Sequence, residues 1–206
     1  MILSRVFILS LIIFTTPSTV NANTILILGD SLSAAYGIEL EQGWVNLLQI
    51  KLKREQIEDK PWHIINASIS GETTAGALGR LPELLDKHKP QLCIIELGAN
   101  DGVRGMPLNN MLENLNKMII QCKQYGQVAL LGMQLPPNYG KKYTEEFKQN
   151  FELVANKNEI AFLPFLLHGF SKDEKYFQAD GIHPTAVAQE RILENVWPVL
   201  SPLLLK

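Results

Sequence analysis

Short apolar stretches alternate along the chain with longer stretches in which apolar residues recur every three or four positions. The short stretches predict buried strands at 24–28, 62–67, 91–97, 127–133 and 160–163. The longer ones predict helices at 43–54, 74–88, 108–124, 143–156 and 185–203. Regular alternation of strand and helix predicts an α/β fold of three layers, α/β/α, with a central five-stranded parallel sheet. Such sheets bind ligands beyond the carboxyl ends of their strands, so polar motifs at those ends are the candidates for chemistry.

The first 22 residues have a different pattern from the rest. Arg5 is followed by an apolar run at 6–14, broken only by Ser10, and then by small and polar residues up to Ala22. This order is typical of a secretory signal peptide, and the run is far shorter than the roughly 20 residues of a membrane span. We predict cleavage after Ala22, a single domain at 23–206 with no membrane span, and a periplasmic or secreted location. An uncleaved N-terminal anchor is the alternative.

Composition narrows the classes of partner and cofactor. The chain has 19 basic and 21 acidic residues, a net charge of -2, whereas a nucleic-acid-binding surface needs a basic excess. We therefore expect no nucleic acid partner, and we expect a monomer. Four histidines and two cysteines leave no room for a disulfide framework or a His-rich metal cluster, so we expect no metal and no cofactor. Cys93 and Cys122 could pair in an oxidising compartment, and two buried free thiols are the alternative.

Two polar motifs follow the first and third predicted strands. The first is GDSLS at 29–33, where glycine beside Ser31 allows the serine to be held in an exposed turn as a nucleophile. A helix N-cap is the alternative. The second is GANDG at 98–102, where Asn100 can aim its amide into a cleft as a fixed donor to an oxyanion. An ordinary Asn-Asp-Gly turn is the alternative.

The third motif is DGIHP at 180–184. Asp180 precedes His183 by three residues, a spacing that lets the carboxylate hold the imidazole in the tautomer of a general base. Pro184 is expected in the first turn of the last helix, which would place His183 at its mouth; an aspartate that caps this helix beside a surface histidine is the alternative. All three motifs occur together by chance in about one chain in ten thousand at ordinary residue frequencies. After the second strand, Gly71 offers an unobstructed backbone N–H.

The blocks GDSLS, SGE, GAND and DGIHP resemble the four signature blocks of the SGNH (GDSL-type) hydrolase family, over residues 23 to about 203. The chain is most similar to a periplasmic branch with thioesterase, protease and lysophospholipase activities, through stretches such as TILILGDSLSA and LPPNYGKKY. The resemblance implies a flavodoxin-like fold, Ser31 as nucleophile, His183 as base and Asp180 as the residue that orients it. It also implies an oxyanion hole formed by the backbone N–H groups of Ser31 and Gly71 and the side chain of Asn100.

The reaction that this resemblance implies is hydrolysis of acyl esters and thioesters, such as aryl esters, acyl-CoA and lysophospholipids, through an acyl-enzyme. An acyl chain needs an apolar groove, and the candidate substrate-binding residues are Val103, Met106, Pro136 and Tyr139. The loop at 102–107 is a candidate flap. A carbohydrate O-deacetylase with the same triad and a non-catalytic periplasmic binding domain of the same fold are the alternatives.

Three carboxylates adjoin the motifs. Asp30 and Asp101 are expected either to support the loops of Ser31 and Asn100 or to cap turns. Glu72 is expected to be a solvated carboxylate at the start of a helix.

Overall fold

The computed structural model describes residues 22–55 and 61–204, and within these ranges it contains one parallel sheet of five strands. The strand order is β2-β1-β3-β4-β5, and every neighbouring pair is parallel. The strands are β1 (Asn23–Gly29), β2 (Trp62–Asn66), β3 (Leu92–Glu96), β4 (Gln127–Leu131) and β5 (Ala161–Leu163). The predicted five-stranded parallel sheet is confirmed.

The described residues also form six α-helices, which are α1 (Trp44–Glu55), α2 (Thr74–His88), α3 (Ala99–Val103), α4 (Leu108–Lys123), α5 (Lys141–Asn158) and α6 (Gln189–Leu204). Helix α1 packs against α6, and α4 packs against α2 and α5. The right-handed rule for crossovers between parallel strands predicts that these two groups lie on opposite faces of the sheet, which gives the three layers. Among the described helices, none is long and apolar enough to cross a membrane.

The central strands β1 and β3 are buried on both faces, and this explains their nearly continuous apolar sequence. Ile25, Ile27 and Ile94 are fully buried in this core. Cys93 and Cys122 are buried free thiols, so the alternative without a disulfide is the one found. A hydrogen bond with the Cys122 thiol, and then burial, raise the pKa of the Cys93 thiol.

Helix α3 was not predicted, because five residues are too few to display a helical repeat. It begins after Gly98, whose φ of 114° lies in the region that favours glycine. Asn100 therefore lies in the first turn of a helix rather than in an Asn-Asp-Gly turn. Val103 is the last residue of α3, so the connection to α4 is shorter than the predicted 102–107 loop.

The prediction that Pro184 opens the last helix was wrong. Residues 186–188 form a 3₁₀ turn, and α6 begins at Gln189. Pro184 instead pairs with Phe177 in an antiparallel bridge, and the Thr185 N–H donates to the Tyr176 carbonyl at 2.8 Å. Because this hairpin uses the peptide groups that a helix would need, His183 lies in the hairpin loop and not at a helix mouth.

The predicted signal peptide at 1–22 lies outside the described residues except for Ala22. Strand β1 begins at the next residue, and the Asn23 N–H donates to the Pro61 carbonyl at 2.9 Å. The predicted cleavage point therefore stands immediately before the first strand.

Candidate active site

The polar motifs meet at the carboxyl edge of the sheet. β1 lies between β2 and β3, so the segments that follow these three strands are neighbours. Ser31 follows β1, Gly71 follows β2, and Asn100 follows β3. The direction of strand order reverses between β1 and β3, and ligands of such sheets bind at this point. His183 reaches the same edge, because its Nε2 lies 2.9 Å from Ser31 Oγ.

Ser31, His183 and Asp180 form one hydrogen-bonded chain. His183 Nδ1 lies 2.7 Å from Asp180 Oδ2. Asp180 Oδ1 also accepts the backbone N–H groups of Ile182 at 2.9 Å and His183 at 3.0 Å. The hydrogen bond from the imidazole, followed by these two N–H groups, lowers the pKa of Asp180 to about 2. An ionised carboxylate can only accept, so Nδ1 carries the proton and the Nε2 lone pair faces the serine hydroxyl.

Gly71 occupies a backbone conformation that suits glycine. The Glu72 N–H donates to the Ile69 carbonyl at 3.1 Å and closes a four-residue turn, in which Gly71 is the third residue with φ 80°. A positive φ at this position is the mark of a type II turn, and it fixes the direction of the Gly71 N–H. Within the described residues, neither this N–H nor that of Ser31 donates to a protein acceptor. Both donors are free for a ligand.

The Asn100 amide is oriented by a buried carboxylate. Its Nδ2 donates to Asp30 Oδ2 at 3.1 Å, and Asp30 Oδ1 accepts the Leu32 N–H at 3.0 Å. Because an ionised carboxylate only accepts, the nitrogen of the Asn100 amide must face Asp30. Its second N–H has no acceptor in the described part of the chain. Asp30 therefore both caps the Ser31 turn and supports Asn100, the two roles between which the sequence did not decide.

A second buried carboxyl group, Glu96, lies behind Asp30 at the end of β3. Glu96 Oε2 accepts the Ser33 hydroxyl at 2.7 Å and the Asp30 N–H at 3.4 Å, whereas Oε1 is buried without a partner. Burial, and then the charge of Asp30, raise the pKa of Glu96 well above its ordinary value of 4.5. Burial likewise raises the pKa of Asp30 to about 6. Both oxygens of Asp30 accept a donor, whereas Oε1 of Glu96 has none, so Asp30 carries the negative charge more readily and Glu96 stays protonated well above pH 4.5.

This carboxyl pair predicts a pH dependence of stability. The unfolded chain releases the Glu96 proton near pH 4.5 whereas the folded protein keeps it, so the folded state binds more protons above that pH. Stability therefore falls as pH rises above about 4.5, by up to about 1.4 kcal/mol per pH unit. Asp30 adds to the fall between its ordinary value of 3.8 and about 6. Asp180 adds nothing to the slope from pH 5 to 8. Its pKa is lowered to about 2, so the stability contributed by its charge is lost only when the pH falls below its ordinary pKa of 3.8.

Glu96→Gln should flatten this slope, since the amide keeps an acceptor for the Ser33 hydroxyl and cannot titrate. We expect the free energy of unfolding of the variant minus that of the unchanged protein to be larger, meaning a relatively more stable variant, at pH 8 than at pH 5. Urea unfolding at the two pH values measures this difference and cancels any pH-independent cost of the substitution. Glu83→Gln, at an exposed position of α2, is the matched control. An equal effect of Glu96→Gln at both pH values would contradict the assignment.

The other two carboxylates tie the site to helix α2. Asp101 accepts the Thr74 N–H at 2.9 Å and the Thr74 hydroxyl at 2.6 Å, so it joins α3 to the start of α2. The prediction that Glu72 is solvated was wrong: its side chain is 8% exposed and pairs with Arg80 through both carboxylate oxygens. Arg80 also donates to the Ala67 carbonyl. Arg80, eight positions after Glu72, therefore covers the Glu72 carboxylate. A separation of eight residues gave no indication of this ion pair in the sequence.

The four predicted substrate-binding residues lie on two segments that are in contact, at 103–106 and 136–139. Val103, Met106 and Tyr139 are 42%, 36% and 37% exposed, and Pro136 is also exposed. The Tyr139 hydroxyl donates to the Val103 carbonyl at 3.3 Å, and the Tyr139 N–H donates to the Pro136 carbonyl at 3.2 Å. The Tyr143 hydroxyl lies 3.1 Å from the Met106 carbonyl oxygen. The two segments are thus held together by tyrosine hydroxyls and leave apolar side chains accessible.

Two residues beside the histidine were not identified from the sequence. The Tyr36 ring lies against the imidazole of His183, with 4.4 Å between ring centroids and 39° between planes. The side chain of Gln178 donates to the backbone of both neighbouring segments. Neither residue belongs to a motif: Tyr36 lies five positions after Ser31 and Gln178 two positions before Asp180, so no local signal marked them. Across residues 22–55 and 61–204, no group of three or more His, Cys, Asp or Glu side chains is placed to hold a metal ion.

The chain is similar to known hydrolases over most of its length. A family model described as the GDSL-like lipase/acylhydrolase family matches residues 27–191. Esterase TesA of Pseudomonas aeruginosa is 50% identical over 184 residues, which are 89% of this chain and 90% of that protein. Thioesterase 1/protease 1/lysophospholipase L1 of Escherichia coli K12 is 36% identical over 183 residues, 88% of this chain and 85% of that protein.

A solved structure has the same fold over nearly its full length. The psychrotrophic esterase EstA from a Pseudoalteromonas species, inhibited by monoethylphosphonate, superposes with a TM-score of 0.82 at 40% identity. The match covers 87% of this chain and 97% of that chain. Together with the extent of the family match, this similarity means that the chain belongs to the GDSL-like lipase/acylhydrolase family and is an acyl ester hydrolase.

Proposed function

We propose that the protein hydrolyses acyl esters and thioesters through a covalent acyl-enzyme on Ser31. His183 is the general base and then the general acid, and Asp180 orients it. The observation that carries this proposal is a pair of linked hydrogen bonds. Ser31 Oγ lies 2.9 Å from His183 Nε2, and His183 Nδ1 lies 2.7 Å from Asp180 Oδ2. A nucleophile, a base within hydrogen-bond reach and a third group that orients the base are the parts that acyl transfer needs.

The first half of the reaction forms the acyl-enzyme. Ser31 Oγ attacks the carbonyl carbon, and its proton passes to His183 Nε2. The carbonyl oxygen becomes an anion, which accepts the N–H groups of Ser31 and Gly71 and the free N–H of Asn100. When the tetrahedral intermediate collapses, the bond to the leaving oxygen or sulfur breaks and His183 returns its proton to that atom.

The second half releases the acid. Water attacks the acyl carbon and gives a proton to His183 Nε2, and the oxyanion again accepts the same three donors. Collapse breaks the bond to Ser31 Oγ, which takes the proton back from His183, and the carboxylic acid leaves. Asp180 stays ionised throughout, in keeping with its lowered pKa, and stabilises the imidazolium that forms in each half.

The substrate class that we propose is a fatty acyl chain on an aryl alcohol, coenzyme A or a lysophospholipid. The exposed side chains of Val103, Met106 and Tyr139 support an apolar acyl site. The Escherichia coli relative is named for thioesterase and lysophospholipase activities, and the Pseudomonas aeruginosa relative for esterase activity.

A panel of substrates tests this class. We expect turnover of p-nitrophenyl octanoate, palmitoyl-CoA and lysophosphatidylcholine, each with a higher kcat/KM than acetylated xylan. We expect this order because each acyl CH₂ that is buried in an apolar site stabilises the bound substrate by about 0.8 kcal/mol. An acetyl group has no CH₂ groups to bury. Turnover confined to the acetylated polysaccharide would contradict the proposal and favour the carbohydrate deacetylase alternative.

We further propose that residues 1–22 are a signal peptide and that the mature enzyme is exported. The start of β1 at Asn23 supports a cleavage point after Ala22. N-terminal sequencing of exported protein should begin at Asn23, and a sequence that begins near residue 1 would contradict cleavage.

A further inference from the structure

The hairpin that carries Asp180 and His183 is closed by Gln178. The Gln178 N–H donates to the His183 carbonyl at 2.8 Å. Its side-chain nitrogen donates to the Pro184 carbonyl at 3.1 Å and to the Tyr36 carbonyl at 2.8 Å. Both hydrogens of the amide are therefore used, one on the hairpin and one on a segment 142 residues away along the chain.

That distant segment is the loop of the nucleophile. The Tyr36 N–H donates to the Ser31 carbonyl at 3.2 Å, and the Tyr36 ring packs against the imidazole of His183. The Gln178 amide thus connects the loop of the nucleophile to the hairpin of the base. Among the described residues, the hydrogen bond between Ser31 and His183 and the ring contact between Tyr36 and His183 also join these two segments.

Gly37 shows how closely this amide is fitted. A Cβ atom on Gly37 would lie 2.1 Å from Gln178 Oε1, and the φ of Gly37 is 74°. The amide therefore lies close against the backbone of Gly37, while its nitrogen is held by the Tyr36 carbonyl. A second long-range bond, from the Trp44 N–H to Gln189 Oε1 at 3.0 Å, joins the starts of α1 and α6 and touches neither loop.

We propose that Gln178 is a positioning residue, whose amide sets the separation of Ser31 Oγ and His183 Nε2 by tying the Tyr36 peptide to the Pro184 peptide. The inference rests on the proposed roles of Ser31 and His183. Without the amide, the carbonyls of Tyr36 and Pro184 lose their donor, and the hairpin is free to shift relative to the serine. A misplacement of about 1 Å in reacting groups reduces turnover by as much as about 100-fold.

Gln178→Met tests this role, because methionine is close to glutamine in length and volume but has no donor. We expect kcat for p-nitrophenyl octanoate to fall about 10- to 100-fold while KM changes less than about threefold. The rate at which a fluorophosphonate labels the protein should fall by a similar factor, since that reaction needs the serine and histidine but no acyl groove. Gln124→Met, at an exposed position after α4, is the control and should leave both rates unchanged.

The readout separates positioning from folding. Complete labelling by the fluorophosphonate counts the folded active sites, and kcat is expressed per labelled site. A merely structural role would lower the number of sites or the Tm and leave kcat per site unchanged, and that result would overturn the inference. If Gln178→Met does not fold, Gln178→Glu retains the shape and the contact with Gly37, removes both donors, and is judged by the same criterion.

The experiment also distinguishes this inference from the proposed function. Full activity of Gln178→Met together with an inactive Ser31→Ala would overturn only the inference. Activity that survives Ser31→Ala would overturn the proposed function itself.

Discussion

Ser31→Ala should reduce kcat for p-nitrophenyl octanoate by about 10⁴- to 10⁶-fold and leave the fold intact. The large effect is expected because no acyl-enzyme forms without the Ser31 hydroxyl, and only the oxyanion donors and substrate binding remain. The fold should survive because the one side-chain hydrogen bond that is lost, to His183, joins two loops at the edge of the sheet. Steady-state kinetics measure the loss, and circular dichroism with thermal unfolding verifies the fold.

Ser171→Ala is the matched control for this variant. Ser171 is exposed and lies after the last strand, away from the Ser31 loop in sequence, so its replacement should leave kcat unchanged. Near-normal turnover by folded Ser31→Ala would remove the basis of the proposed mechanism.

Asn100→Ala should reduce kcat by about 10²- to 10³-fold, the usual effect of losing one oxyanion donor. KM should change little, because the donor acts mainly on charge that develops in the transition state. The structural effect should be confined to the Asp30 carboxylate, which loses one of its two donors and keeps the Leu32 N–H. Kinetics on the same ester measure the split between kcat and KM.

Asn110→Ala, at an exposed position in the first turn of α4, is the control and should have no effect on kcat. A loss of less than about threefold in kcat for Asn100→Ala would mean that its amide does not serve the oxyanion, because a real donor typically contributes at least about 10²-fold.

The sequence predicted the sheet and the place of the site because both depend on local, repeated features. β1 and β3 are apolar on both faces and end in small polar residues, so their motifs had to fall at one edge of a parallel sheet. The five-residue helix α3 could not be predicted, since it has no period to detect. The hairpin that carries His183 was mistaken for the start of a helix because Pro184 suits both settings, and the deciding bridge to Phe177 is tertiary.

The contacts that hold the site residues in place could not be predicted from the sequence, because they too are tertiary. Arg80 covers Glu72, Glu96 lies behind Asp30, and Gln178 reaches a loop 142 residues away. Glu96 is a charged residue in the otherwise apolar strand β3, but its partners Ser33 and Asp30 follow another strand and are brought to it by the fold. Motifs thus identified the residues proposed to react, and only the structure identified those that hold them in place.

The central claim is that Ser31 is the nucleophile, and mapping a covalent adduct tests it most directly. The protein is treated with a fluorophosphonate until activity is lost, digested, and analysed by mass spectrometry. We predict one adduct per chain, on the Ser31 side chain, which forms in proportion to the loss of activity. An adduct on another residue that accounts for the inactivation, or full activity in protein labelled at Ser31, would contradict the account.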